Sequence, residues 1–409
     1  MKTVGIIAEY NPFHNGHAYQ LKRAKELSGA DYAIIVMSGN FTQRGIPAII
    51  DKYERTKNAL NNGADLVIEL PAVYATASAE IFAYGAVMLL QSLGTDSISF
   101  GCETDDLSLL SSLSENCLKE SVSYKKTLIQ GLKEGMTFPA ARLNALSSCY
   151  SLKEEELALL SMPNTILGLE YMKALRKLKS PMSVFAVKRE GSHYLEKVLP
   201  ENSFASADAI RQNLHSGSLS ICHYVPNDTR EVLMHASIDH ALLFQDDFST
   251  LLLYKLLNTD ASNLIGYSDV SDSLAQKIRN NLYHFTSISD FSTNYLKSKD
   301  ITMARIHRAL LHILLDITKQ DVKKAMELKN PCYYHVLGFR EEAKDLFKEP
   351  GFHSCPLLCQ LSELKDDLSE FGRKMLETDI RSSHIYEAVK TAKSGQTMQN
   401  EFSRKLIKI

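Results

Sequence analysis

Apolar residues gather along the first hundred positions into four short runs: TVGIIAEY (3–10), DYAIIVMSG (31–39), DLVIELP (65–71) and SISFGCE (97–103). Each run is apolar at consecutive positions, the texture of a strand covered by helices on both faces. Between them lie GHAYQLKRAKELSG (16–29), DKYERTKNALNNG (51–63) and SAEIFAYGAVMLLQSLG (78–94). These carry apolar residues at helical spacing, and each closes on a glycine, which terminates helices readily. Asp51 followed by Glu54 resembles a capping box at the start of the second helix. The β-α-β order predicts an α/β fold with a doubly wound parallel sheet. A fifth strand, PMSVFAVKR (181–189), is expected to rejoin that sheet after a long helical excursion.

From about residue 220 helical patterns dominate, as in ALLFQDDFSTLLLYKLL, DSLAQKIRNNLYHF and TMARIHRALLHILLDI. The turn residues of HYVPND place the expected boundary there, giving a domain over 1–222 and a mainly helical C-terminal domain over 223–409. A chain of 409 residues suits two or three domains. Its 44% hydrophobic and 23% charged content is that of a soluble globular protein. No apolar run approaches a membrane span, and MKTVGIIAEYNPFH meets Glu9 without a cleavage pattern, so neither membrane insertion nor a secretory leader is expected. Seven cysteines without regular spacing read as reduced thiols in the cytoplasm. Among them, His353, Cys355 and Cys359 lack the fourth ligand and the spacing of a zinc site, and no metal-binding residues are expected. The net charge of −2 excludes a globally basic nucleic-acid binder but leaves room for a basic patch. One candidate is the stretch from Ile380 onward, with six Lys/Arg against two Glu. An ordinary solvated helix face explains it equally well.

The chemistry concentrates in AEYNPFHNGHAYQL (8–21), where the first strand should turn into a helix. In an open α/β sheet, ligands bind beyond the carboxyl ends of the strands, near helix N-termini. A helix starting near Gly16 is expected to offer unpaired N–H groups and the positive end of its dipole to an anion. Gly16, lacking a Cβ, would let a phosphate approach the backbone. His14 and His17, about one turn apart, can face the same side and donate hydrogen bonds to an α-phosphate during nucleotidyl transfer. A metal pair would need a third nearby ligand, and two ordinary histidines would explain nothing about the glycine. Neither G-x-x-x-x-G-K-[ST] nor G-x-G-x-x-G occurs, so the common phosphate loops are absent.

NPFHNGH resembles the H-x-G-H signature of the Rossmann-like nucleotidylyltransferase superfamily. Longer stretches are similar to the tRNA(Met) cytidine acetate ligase family: GIIAEYNPFHNGH, MSGNFTQRGIPAIIDKYERTKNALNNGADLVIELP, SISFGCE, PNTILGLEYMKAL, VKREGSHY, SADAIR and TMARIHRALLHILL. The resemblance implies that ATP and acetate form acetyl-adenylate. The acetyl group would then pass to N4 of the wobble cytidine of elongator tRNA(Met), giving N4-acetylcytidine. It implies catalytic roles for His14 and His17. It also implies an ATP site along Ile7, Ala8, Glu9, Tyr10, Asn11, Pro12, Phe13, His14, Asn15, Gly16, His17, Ala18, Tyr19 and Gln20, joined by Gly101, Asn164, Arg189, Ser206 and Arg211. A side chain at Gly101 would block a nucleotide crossing the strand ends, and Asn164 can cap a helix or bond a ligand. Arg189, closing a strand, suits triphosphate or pyrophosphate. Ser206 can cap a helix that carries Arg211 to the same place. Mg²⁺ is expected mainly on ATP oxygens and water. The tRNA contact is expected at Lys299, Arg305 and Arg308, the two arginines sharing a polar helix face. Two departures stand out: Cys102 replaces a small hydroxyl residue, and LEK (195–197) replaces a polar His-Asp pair. The alternatives are a small-molecule adenylyltransferase and a non-catalytic nucleotide- and RNA-binding protein. Oligomeric state is not legible.

Overall fold

A computed structural model describes residues 1–119, 121–189, 204–218, 220–260, 262–363 and 368–409. The GSHY and LEK segments of the sequence reading lie outside the described residues. Five parallel strands appear where the apolar runs predict them: β1 (Thr3–Ala8), β2 (Tyr32–Ser38), β3 (Leu66–Leu70), β4 (Ser97–Cys102) and β5 (Ser183–Lys188). Their order in the sheet is β5-β4-β1-β2-β3. The chain therefore winds outward in both directions from β1, and the switch point lies between β1 and β4, where a doubly wound sheet opens a ligand crevice.

Both sheet faces are covered, which is why the strands read as unbroken apolar runs. Ile7, Ile34, Val36, Leu66 and Ile68 face one layer, built on the helices Ala79–Ser92 and Pro163–Leu178. Val4, Ile6, Ala33, Ile35 and Val67 face the other, against Leu21 and Ala24 of helix Asn15–Ser28 and Leu60 of helix Lys52–Asn61. Each such valine, leucine or isoleucine taken out of water stabilises the fold by about 1.5–3 kcal/mol.

The chain beyond residue 223 is mainly helical, as expected, and it also sends three strands back to the sheet. β6 (Tyr334–Phe339) runs antiparallel to β3, and β7 (Leu357–Leu358) and β8 (Ile407–Lys408) pair with β6. Beneath the loop that follows β2, two cations are fully buried. Arg55 donates to the carbonyls of Glu9 (2.7 Å), Ser38 (3.0 Å) and Ile50 (3.2 Å), tying the end of β1 to the end of β2. Lys52 pairs with Glu69 at 2.7 Å and with Glu401, while His335 Nδ1 lies 2.6 Å from Glu69. His335 of β6 and Glu401 of the one-turn 3₁₀ helix Glu401–Ser403 thus complete the floor under the β2 loop. No helix among the described residues is long and apolar enough to cross a membrane.

Candidate active site

β1 ends at Ala8, and the chain turns through Tyr10, whose φ of +47° is left-handed, before helix Asn15–Ser28 begins. Phe13, fully buried, and Tyr10 pack edge-on at 4.7 Å and support the ring of His17 from beneath. The imidazoles of His14 and His17 are stacked, centroids 3.6 Å apart at 22°. Each ring is held by the backbone: the Gly16 N–H donates to His14 Nδ1 (3.1 Å), and the His14 N–H donates to His17 Nδ1 (3.3 Å). An Nδ1 that accepts carries no proton, so each neutral ring keeps its proton on Nε2. Burial pushes the His14 imidazole down to about 3, helped by the Arg189 and Arg211 charges. Burial, then His14 and Arg189, hold His17 well below the usual histidine range. At neutral pH the site presents two uncharged N–H donors.

One detail of the sequence reading changes. The first amides of the helix are not unpaired: Asn15 N–H donates to the Tyr224 carbonyl (2.9 Å), Gly16 to His14, and His17 N–H to the His14 carbonyl (2.8 Å). The helix dipole therefore acts through the imidazoles rather than through free N–H groups. Gly16 also makes room for a side chain, since a Cβ there would meet the His14 ring at 3.0–3.1 Å.

The rings open into a cleft of about 170 Å³, continuous with solvent, at the switch point. Ile7, Ala8, Glu9, Tyr10, Asn11, His14, His17 and Gln20 line it, together with Gly101, Asn164, Arg189, Ser206 and Arg211. Gly16 and Tyr19 line a shallower extension shared with Arg189. Pro12, Phe13, Asn15 and Ala18 lie off both linings and serve packing or anchoring; Asn15 Nδ2, for example, donates to the His223 carbonyl. An added Cβ at Gly101 would meet Arg189 and Gln20 only at 3.6–3.8 Å, so the space this glycine leaves belongs to the cleft. Ser206 caps helix Ala207–His215 by accepting from Ala209 N–H at 3.1 Å. Asn164 does not cap its helix. Glu103 does so, accepting from Thr165 N–H (2.7 Å) and from Asn164 Nδ2 (2.7 Å).

The loop after β2, which carries no role in the sequence reading, supplies Thr42, Gln43, Arg44 and Ile46 to the cleft wall. Gln43 N–H donates to Glu9 at 2.8 Å. Arg44 and Arg211 share one carboxylate, Asp208, with Arg44 at 2.7 Å. The two guanidinium charges outweigh burial and hold the Asp208 carboxyl below its ordinary range. Arg211 also donates to the Asn11 carbonyl at 2.5 Å. Phe82, Phe100, Leu167 and Tyr171 add apolar surface to the same wall.

Among the described residues, the cleft wall holds two carboxylates, Glu9 and Asp208, each already engaged, and no cage for a metal ion. Elsewhere among the described residues, Glu69, His335 and Glu401 lie at ligand spacing, but Lys52 fills the space between them. Of the expected tRNA contacts, Lys299 is exposed. Arg308 is bound by Asp269 (2.7 and 3.3 Å) and mostly buried, and Arg305 leans on the Asp269 carbonyl at 3.3 Å with its side chain 42% exposed. The two arginines do share a face of helix Met303–Leu315, but that face is occupied by an aspartate.

A family model described as HIGH Nucleotidyl Transferase matches residues 1–401. Curated relatives named tRNA(Met) cytidine acetate ligase include that of Thermoanaerobacter sp. (strain X514), 43% identical over 390 residues, 94% of this chain and 95% of the relative. That of Caldicellulosiruptor saccharolyticus is 38% identical over 405 residues, covering 99% and 98%. Among solved structures, Thermotoga maritima TmcAL bound with alpha-thio ATP superposes with a TM-score of 0.89 at 30% identity, each chain covered completely. Its apo form superposes with a TM-score of 0.91.

Proposed function

The chain belongs to the tRNA(Met) cytidine acetate ligase family of HIGH nucleotidyl transferases, and from that premise we propose that it activates acetate with ATP and acetylates elongator tRNA(Met). An acetate oxygen attacks the α-phosphorus, the bond to the β-phosphate breaks, and pyrophosphate leaves. The N4 amine of the wobble cytidine then attacks the acetyl carbonyl, AMP departs, and the amine gives up one proton.

The observation that carries this reading is the stacked pair of neutral imidazoles, both Nδ1 atoms engaged by backbone N–H groups and both Nε2 protons free to serve. Donors fixed in advance stabilise charge that grows on the α-phosphate without having to reorganise. Arg189, Arg211 and Arg44 surround the same cleft and suit the β- and γ-phosphates, since guanidinium matches phosphate oxygens in pairs. Asp208 holds Arg44 and Arg211 in place until a polyphosphate takes over. The apolar side chains Phe82, Phe100, Leu167 and Tyr171 of the cleft wall suit shielding acetyl-adenylate, a readily hydrolysed anhydride, from water. Mg²⁺ does not fit a protein cage here and would travel on ATP oxygens. Lys299 and Arg305 remain as phosphate contacts for tRNA, with Arg308 supporting them from behind. The seven cysteines stand as thiols, which suits the cytoplasm.

The test is incubation with ATP, labelled acetate and elongator tRNA(Met), followed by digestion to nucleosides. Labelled N4-acetylcytidine at the wobble position supports the reading. Pyrophosphate release without acetylated cytidine overturns it.

A further inference from the structure

The segment that leads into helix Met303–Leu315 carries a second feature that the activation chemistry does not use. A one-turn 3₁₀ helix, Leu282–His284, follows helix Asp272–Asn281. Tyr283 in that turn is 93% exposed. Its neighbour His284, also exposed, lies parallel to the half-buried ring of Tyr295, at 5.2 Å and 3°. The turn is anchored from below: Phe285 packs on Phe291, fully buried, at 5.0 Å, and Lys277 Nζ donates to the Leu296 carbonyl at 3.3 Å. One aromatic on a surface means nothing, but here an outward tyrosine adjoins a ready-made ring stack on a braced support.

Charge gives the patch a direction. Residues 272–308 hold six Lys/Arg against three Asp, and with Arg305 and Arg308 held by Asp269 the remaining cations are Lys277, Arg279, Lys297 and Lys299. The patch also has a physical route to the cleft. A Cβ on Gly45 (φ +73°) would meet the backbone N of Arg308 at 2.3 Å, so the loop carrying Arg44 lies directly on helix Met303–Leu315. The start of that helix is five residues away, about 8 Å along its axis. Asp300, just before it, is within electrostatic reach of both Lys277 and Arg305.

We propose that Tyr283 and the His284–Tyr295 stack form a platform on which unpaired bases of the RNA substrate stack while neighbouring lysines and arginines hold its phosphates. Single-stranded RNA is bound by this combination of aromatic faces and a cationic track. The proposal rests on the tRNA reading above. It adds a base-binding site separate from the cytidine's own seat in the cleft.

The chain contains no tryptophan, so Tyr283→Trp places a single fluorophore on the platform and keeps a stacking ring. The anticodon stem–loop of elongator tRNA(Met) should quench its emission, and a fully paired RNA duplex of equal length should not. The paired variant Tyr283→Ala with His284→Ala should raise KM for tRNA about tenfold or more, with kcat, ATP affinity and melting temperature held, and Tyr283→Phe should match the wild type. Absence of quenching, equal quenching by the duplex, or an unchanged KM each overturn the platform. Acetylation by the wild-type enzyme, with a Tyr283→Trp variant whose emission ignores the stem–loop, overturns the platform alone. Quenching without any acetylcytidine from the wild type overturns the parent reading and leaves the platform standing.

Discussion

Two aspartates in this molecule each hold a pair of arginines, and they do opposite things. In the cleft, Asp208 bridges Arg44 and Arg211, and its own side chain remains 29% exposed. On helix Met303–Leu315, Asp269 grips Arg308 with both oxygens, and both partners are largely covered. The first clamp faces an open cavity, where in the proposed function its carboxylate gives way to a ligand phosphate. The second faces protein, so releasing Arg308 would leave a charge stranded. A pair of basic residues on one helix face therefore says little about ligands until the opposing acid and its access to solvent are known.

The largest expected effect belongs to the open side. His17→Ala removes one of the two Nε2 donors, and acetate-dependent ATP–pyrophosphate exchange should fall on the order of 10²–10³-fold, while tRNA binding, measured by filter retention, stays near wild type. A smaller loss in exchange would mean that the stack is packing rather than machinery. Next comes the closed side: Asp269→Ala should lower stability in urea melts by on the order of 3 kcal/mol, as removing one partner of a covered pair does. If it cost nothing, the contrast between the clamps would vanish.

Acid should weaken both regions, since burial lowers the His312 imidazole beside Asp269 as it lowers His14 in the cleft. The native His14 imidazole binds a proton only near pH 3, whereas an unfolded histidine binds one near 6.5. Below 6.5 the unfolded chain takes up protons that the folded one refuses, so stability present at pH 7 declines as the pH falls. The loss should be roughly 1–2 kcal/mol between pH 7 and 5 for that imidazole, and a His14→Gln variant should show a flatter profile. The kcat/KM for ATP should meanwhile show no acid limb near 6.5. Smallest is Asp208→Ala, which removes the resident counter-ion shared by Arg44 and Arg211. Calorimetry should show ATP binding tighter by roughly fivefold, with stability changed by about 1 kcal/mol or less.

Much of this was legible in the chain. Strands buried on both faces announce themselves as unbroken apolar runs, and the histidine spacing pointed to one site because helix geometry is local. What escaped depended on partners distant in sequence. Glu103 caps a helix that starts sixty residues later, so no local capping signal marks it. Asp269 lies 39 residues before Arg308, and nothing around TMARIHRALL reveals it. Tyr334–Phe339 is a short run amid helical texture, and it becomes a strand because the β3 edge is there to receive it. The loop after β2 carries no periodicity at all, yet Arg55, donating to the Gly39 and Ile50 carbonyls, and the Lys52 N–H, donating to Asn40, pin it beside the cleft.

The union of β3 with β6 limits how this protein can be divided. A fragment ending near residue 222 would keep every imidazole and arginine of the cleft, yet its outermost strand would be stripped of its neighbour, and Glu69 and Lys52 would lose His335 and Glu401. Such a bare edge invites the same edge of another copy. The stretch that carries the cleft is therefore no portable cassette: grafted or expressed by itself, it should clump.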